Sequence, residues 1–167
     1  DYVLVEERCE KELLRNICDA VTSFYGDTPL ESSDYGRIVN RCHFDRLSKL
    51  LTEGETVVGG QSDRERLYVA PTVVRAVNVS SPLMQQEIFG PILPVLTVDD
   101  IEEAVSFVRE RPKPLALYLF SAGRANREYV LRNTSSGGVC INDIILHLSV
   151  PQFPFGGVGD SGMGRYH

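Results

Sequence analysis

The sequence has no excess of positive charge, no long apolar run and no paired-cysteine motif, and each absence narrows what the chain can be. Lys and Arg number 17 against 23 Asp and Glu, a formal net charge of -6. The chain as a whole therefore lacks the cationic field that gathers phosphate backbones, and nucleic acid is not an expected partner. Its longest apolar stretches, such as 92–98 and 115–120, fall far below the roughly 20 residues that span a bilayer. Cys9, Cys18, Cys42 and Cys140 are widely spaced, with no CxxC pair and no His at ligand spacing. Neither a zinc site nor a disulfide framework follows, and we read reduced thiols packing as small hydrophobes in a cytoplasmic protein. The opening residues, DYVLVEERCEK, contain neither an initiating Met nor a basic stretch followed by an apolar one. The expectation is a cut chain without a targeting signal. No internal repeat is visible.

What is present is an ordinary globular composition: 167 residues, 43% hydrophobic and 24% charged, enough for one domain with its own core. Residues 2–5 alternate as a short strand, and Leu13, Leu14, Ile17, Val21, Phe24 and Tyr25 recur at helical spacing until Gly26 stops them. Ser33 is placed to cap a second helix carrying Ile38, Val39, Cys42, Leu47, Leu50 and Leu51, ending near Gly54. A β-branched run at 56–58 ends at Gly59-Gly60, and YVAPTVVRAV reads as a strand interrupted by Pro71. From Ile92 the pattern sharpens. ILPVLTV is a buried-type strand, and Asp99 with Glu102 has the spacing of a capping-box variant. A helix with Ile101, Ala104, Val105 and Val108 on one face follows, and the prolines of RPKP stop it. LALYLF is the next strand, with Tyr118 and Phe120 read as core; Ser121 is placed to cap a helix to about Arg132; VCIN is a third strand. This β-α-β-α-β order predicts an α/β fold with a mostly parallel sheet flanked by helices. The tail, with Gly156, Gly157, Gly159, Gly162 and Gly164 among aromatics, predicts a tightly turned Gly-rich loop. It does not fit GxGxxG between a strand and a helix, so no phosphate cradle is expected there.

Three stretches together resemble the aldehyde dehydrogenase superfamily: MQQEIFGPILPV at 84–95, KPLALYLFS at 113–121, and TSSGGVCIND followed by PFGGVGDSGMGRYH at the C-terminus. The KPLALY strand, the GGQSDRERLYVAPT stretch at 59–72 and the GMGRYH ending are most similar to the class 3 enzymes. The resemblance implies that residues 1–167 are the C-terminal part of the catalytic domain, and that the nucleophilic cysteine lies in a GQxC motif just upstream of Asp1. The general-base Glu and the Rossmann cofactor domain would also lie outside the chain. The implied activity is oxidation of medium- or long-chain aldehydes to carboxylates with NAD or NADP, through a cysteine thiohemiacetal and thioester. This chain alone is then expected to be inactive, and the full-length protein to be a cytoplasmic homodimer. The alternative is a non-catalytic homologue serving as a dimerisation or binding module.

No catalytic residue and no metal ligand is assigned within the chain, because none of its cysteines lies in a GQxC context. By resemblance, Glu87 binds the nicotinamide ribose, a role that suits a carboxylate because its two oxygens accept from both ribose hydroxyls. Phe89 would pack beside that ribose, although taken alone it reads as a core aromatic. The family has two acidic residues before IFGP, and here Gln86 takes the first place. Asn142 matches a residue of the active-site wall, its other reading being a turn at a strand end. Phe155 matches an aromatic at the aldehyde entrance, its other reading being a core Phe. Gly137 and Gly138 allow close passage of the backbone. His43 reads as a surface residue, and His147 as either a tunnel residue or a satisfied strand histidine.

Overall fold

The computed structural model describes residues 1–164. The chain divides into two compact units, Asp1–Val98 and the remainder from Asp99. The first unit runs β1 (Val3–Glu6), α1 (Glu7–Tyr25), α2 (Arg41–Leu50), β2 (Glu55–Val58), β3 (Ser62–Asp63), β4 (Tyr68–Val69), β5 (Thr72–Arg75), α3 (Pro82–Gln85) and β6 (Ile92–Val98). Its sheet has the order β1-β6-β5-β2. β6 pairs in parallel with β1, Val3 opposite Val95, and with β5, Thr72 opposite Ile92. β2 closes the far side antiparallel to β5, while β3 and β4 form a small separate ribbon.

Successive strand residues point to opposite faces, and β5 shows the result. Val74 joins Phe44, Leu47 and Leu50 of α2 with Leu83, Ile88 and Ile92 in one core. Val73 joins Val5 and Val95 in a second core, covered by Leu13, Leu14 and Ile17 of α1. The sheet is thus a filling between two helices. α1 ends as expected, with Gly26 at φ 75° donating its N–H to Thr22 O. The Pro71 break falls between β4 and β5.

Ser33 does not cap α2. Asn40 does, its side chain accepting from His43 N at 2.9 Å, and Val39 lies outside the helix at 78% exposure. The preceding segment takes another course: Pro29–Glu31 forms a single 3₁₀ turn. Tyr35 then donates its hydroxyl to Val69 O at 2.7 Å and packs edge-on against Tyr25 and Tyr68. Burial between those rings pushes the Tyr35 phenol well above its ordinary range.

The second unit comprises α4 (Ile101–Arg109), β7 (Ala116–Leu119), α5 (Arg124–Asn133) and β8 (Gly138–Ile141). β7 and β8 pair in parallel from Ala116/Gly138 to Leu119/Ile141, with α5 as the crossover. β6 has both edges occupied, by β1 and β5, and β7 pairs with β8 in a sheet of its own. The capping box is shifted by one residue: Asp100 accepts from Glu103 N, and Glu103 accepts from Asp99 N at 2.6 Å. Ser121 does not cap α5. Gly123 holds the cap position, and the Ser121 hydroxyl accepts from Gly123 N. Tyr118 and Phe120 are 40% and 66% exposed rather than core, since a sheet of two strands has little to cover them. Of the cysteines only Cys140 is buried; Cys9, Cys18 and Cys42 are exposed on their helices, contrary to the packing role expected of them.

Candidate functional site

The expected ribose-binding residues lie on a turn that three neighbours hold in shape. α3 ends at Gln85, Gln86 is extended, and Ile88 inserts its side chain into the α2 core at 1% exposure. Arg46 of α2 donates to the carbonyl oxygens of Glu87 at 3.4 Å and Ile88 at 2.5 Å. Gly90 lies so near α2 that a Cβ there would sit 2.4 Å from Leu47 Cδ2. With one residue plugged and two carbonyls clamped, the neighbouring side chains face outward.

Glu87 is exposed, and Phe89 is 73% exposed. Phe89 therefore does not take its core reading. Its backbone is at φ 44°, a left-handed conformation that costs a bulky residue energy and persists only where the surroundings enforce it.

In the second unit Asn142 follows β8 at φ 57°. Its N–H donates to Leu119 O and its Oδ1 accepts from Ser121 N, both at 2.8 Å. It thus ties the ends of β7 and β8 together, and the side-chain oxygen is already engaged with backbone. Phe155 is half-buried, its ring centroid 6.1 Å from that of His147. Gly137 and Gly138 do permit close passage: a Cβ on Gly137 would lie 2.2 Å from Gly156 O, and one on Gly138 2.5 Å from His147 Cδ2. His147 sits in the 3₁₀ turn Leu146–Leu148 and not in a strand, with Nδ1 3.3 Å from Cys140 Sγ. The Gly-rich tail is tightly turned as expected. Ser161 Oγ both accepts from Val158 N and donates to Val158 O around the turn Gly159–Ser161. His167 lies outside the described residues.

Arg46 and the Cys140–His147 pair escaped the sequence reading. One arginine among several on an amphipathic helix has no spacing that announces a clamp, and a thiol and an imidazole seven residues apart pair only once a turn folds back. Among the described residues no three His, Cys, Asp or Glu side chains gather into a metal site, and no helix is long and apolar enough to cross a membrane.

The profile of the aldehyde dehydrogenase family matches residues 1–167, and the chain belongs to that family. Within it the likeness is to class 3. The chain is 50% identical over 167 residues to aldehyde dehydrogenase family 3 member B1 of Rattus norvegicus, covering all of this chain and 36% of that protein. It is 47% identical to the 4,4'-diaponeurosporen-aldehyde dehydrogenase of Staphylococcus aureus, covering all of this chain and 37% of that protein. A substrate-bound structure of Staphylococcus aureus AldH superposes with a TM-score of 0.96 at 47% identity, over all of this chain and 37% of that one. An indole-3-acetaldehyde dehydrogenase structure in complex with NAD+ superposes at 0.81 with 28% identity, over 98% of this chain and 34% of that one. The chain thus spans little more than a third of the length of these relatives.

Proposed function

We propose that residues 1–167 form the C-terminal part of the catalytic domain of an NAD(P)-dependent aldehyde dehydrogenase that oxidises medium- or long-chain aldehydes to carboxylates. The observation that carries this reading is the turn at 86–90. It presents an exposed carboxylate and, two residues on, an exposed aromatic ring on a backbone clamped by Arg46 and Ile88. The fit to a nicotinamide ribose is chemical. The Glu87 carboxylate has no hydrogen bond of its own among the described residues, so both oxygens are available to a diol, while the Phe89 ring limits sideways movement of a sugar held there. When bound, NAD(P) supplies the hydride acceptor. The chain's own residues orient it and do not react.

The nucleophile is assigned to a segment preceding Asp1, as the family resemblance implies, since none of the chain's own cysteines lies in a GQxC context. An aliphatic substrate is supported by the exposed Ile144, Ile145, Leu146 and Phe153, which belong to the same unit as Phe155 and Asn142. The class 3 likeness supports a cytoplasmic homodimer.

The test is Glu87→Gln in the full-length protein, followed by stopped-flow absorbance of reduced cofactor. Hydride transfer should slow by roughly 10- to 100-fold, the scale of lost positioning, while acylation of the thiol by an activated ester continues. Unchanged turnover would remove Glu87 from the mechanism.

A further inference from the structure

The second unit holds a thiol–imidazole pair that cofactor binding does not use. Cys140, 8% exposed at the end of β8, places Sγ 3.3 Å from Nδ1 of His147. The imidazole lies between two rings, Tyr118 of β7 at 5.8 Å and Phe155 at 6.1 Å between centroids, and above Gly138 of β8. A thiol is a weak donor and a weaker acceptor, whereas a neutral imidazole nitrogen accepts well. On that ground the S–H is assigned as the donor to Nδ1, which places the ring proton on Nε2. That nitrogen is buried without a hydrogen-bond partner among the described residues. A buried polar atom without a partner is unfavourable, so the packing of the ring between Tyr118 and Phe155 has to offset it.

The segment it belongs to has little else to hold it. Ile144, Ile145 and Leu146 are 48%, 55% and 54% exposed. The backbone bonds within 144–153 are local: Leu146 N to Ile144 O, Leu148 N to Ile145 O, Ser149 N to Leu146 O and Phe153 N to Val150 O. Ile145 is a β-branched residue at φ 64°, a conformation it keeps only under external constraint. His147 reaches from this segment to both strands, to Tyr118 of β7 and to Cys140 and Gly138 of β8.

We propose that His147 is a positioning residue: by bridging β7 and β8 to Phe155 it fixes that ring, and with it the width of the aldehyde entrance. The proposal rests on Phe155 lining that entrance. It is tested in the full-length protein by steady-state kinetics with octanal and propanal for His147→Ala, Phe155→Ala and the double variant. His147→Ala should raise KM for octanal roughly tenfold, as loosened positioning does, and leave kcat for propanal within about twofold. The double variant should be no worse than Phe155→Ala, because His147 acts through that ring. An unchanged octanal KM in His147→Ala, or additive effects on log KM, overturns the proposal. Should His147→Ala fail to fold, His147→Asn keeps an acceptor for the Cys140 thiol but no ring against Phe155; a wild-type octanal KM there also overturns it, and a raised one supports it. Two failures are separable from this one: a parent protein that reduces NAD(P)+ with neither aldehyde refutes the enzyme reading, and a Phe155→Ala protein with unchanged octanal KM refutes the premise about Phe155.

Discussion

Removing the Arg46 guanidinium tests whether the turn at 86–90, proposed above to bind a ribose, is held from outside. At 3.4 Å the contact to Glu87 O contributes little; the 2.5 Å contact to Ile88 O is charge-assisted and half-buried, a class of bond that contributes about 1.5–3 kcal/mol. Opposing it is the left-handed backbone of Phe89, whose strain is of order 1–3 kcal/mol. The two terms are the same size, so without Arg46 the turn has reason to relax. Arg46→Met, which keeps the apolar stem, then shifts the balance by about 2 kcal/mol, roughly a 30-fold change in the ratio of strained to relaxed turn. Titration of the full-length protein with NAD+ should show the dissociation constant raised by roughly tenfold, because part of that change is recovered when the ligand reorders the turn. The global unfolding midpoint should move little, since Ile88 stays plugged into the core. In a Phe89→Gly background the same replacement should matter much less, because glycine adopts this φ without strain. An equal effect of Arg46→Met in both backgrounds refutes the strain argument, and an unchanged NAD+ affinity refutes the clamp.

Ile88→Ala should cost about 2–5 kcal/mol in denaturant unfolding, since it empties a fully buried site among Leu47, Leu83 and Ile92; a loss well below 1 kcal/mol would mean the turn is not anchored there. Gly138→Ala drives a methyl into His147 Cδ2, 2.5 Å away, so it should destabilise by about 1–3 kcal/mol and reproduce the raised octanal KM of His147→Ala. Asp45 accepts from Arg64 at 2.8 and 3.0 Å, and that hydrogen bond holds its carboxyl below the usual range. Its folded pKa is depressed, so its contribution to stability is present above the unfolded value of about 3.9 and fades as pH falls through the folded one. Asp45→Asn should therefore flatten the pH dependence of the urea midpoint below about pH 4, and an unchanged slope would mean the exposed pair contributes nothing. The 167-residue chain mixed with NAD+ and octanal should form no reduced cofactor; measurable formation would place a nucleophile within it.

Most of the fold was legible because its long elements follow single periodicities. α1 carries the expected apolar spacing and ends where Gly26 places it, and β6 reads as a buried strand because both its faces are covered and both its edges paired. What the residues do not encode locally is which neighbour a strand finds. The β-α-β-α-β order gives parallel strands without naming partners, because pairing depends on whether an edge is still open, and those of β6 are taken by β1 and β5. Helix starts were misplaced for a related reason. Ser33, Ser121 and the pair Asp99/Glu102 all have capping chemistry, yet Asn40, Gly123 and Asp100 hold the positions. Several residues near each boundary can cap, and the one chosen depends on where the helix's apolar face meets the core.

The candidate site was legible to a different degree, and the reason is a division of labour within five residues. Glu87 and Phe89 face outward, so no internal contact constrains them, and nothing in their own chemistry separates them from a solvated carboxylate or a stray aromatic. Only the motif around them did that. Ile88 and Gly90 face inward, and their identities are dictated by Leu47, which excludes a Cβ at 90 and packs beside the residue at 88. The two pairs act as one structural unit, because the outward display of Glu87 and Phe89 depends on the inward residues holding the backbone at an angle that Phe89 would not choose. Arg46 belongs to that same unit by contact while lying 41 residues from Glu87, which is why spacing could not reveal it.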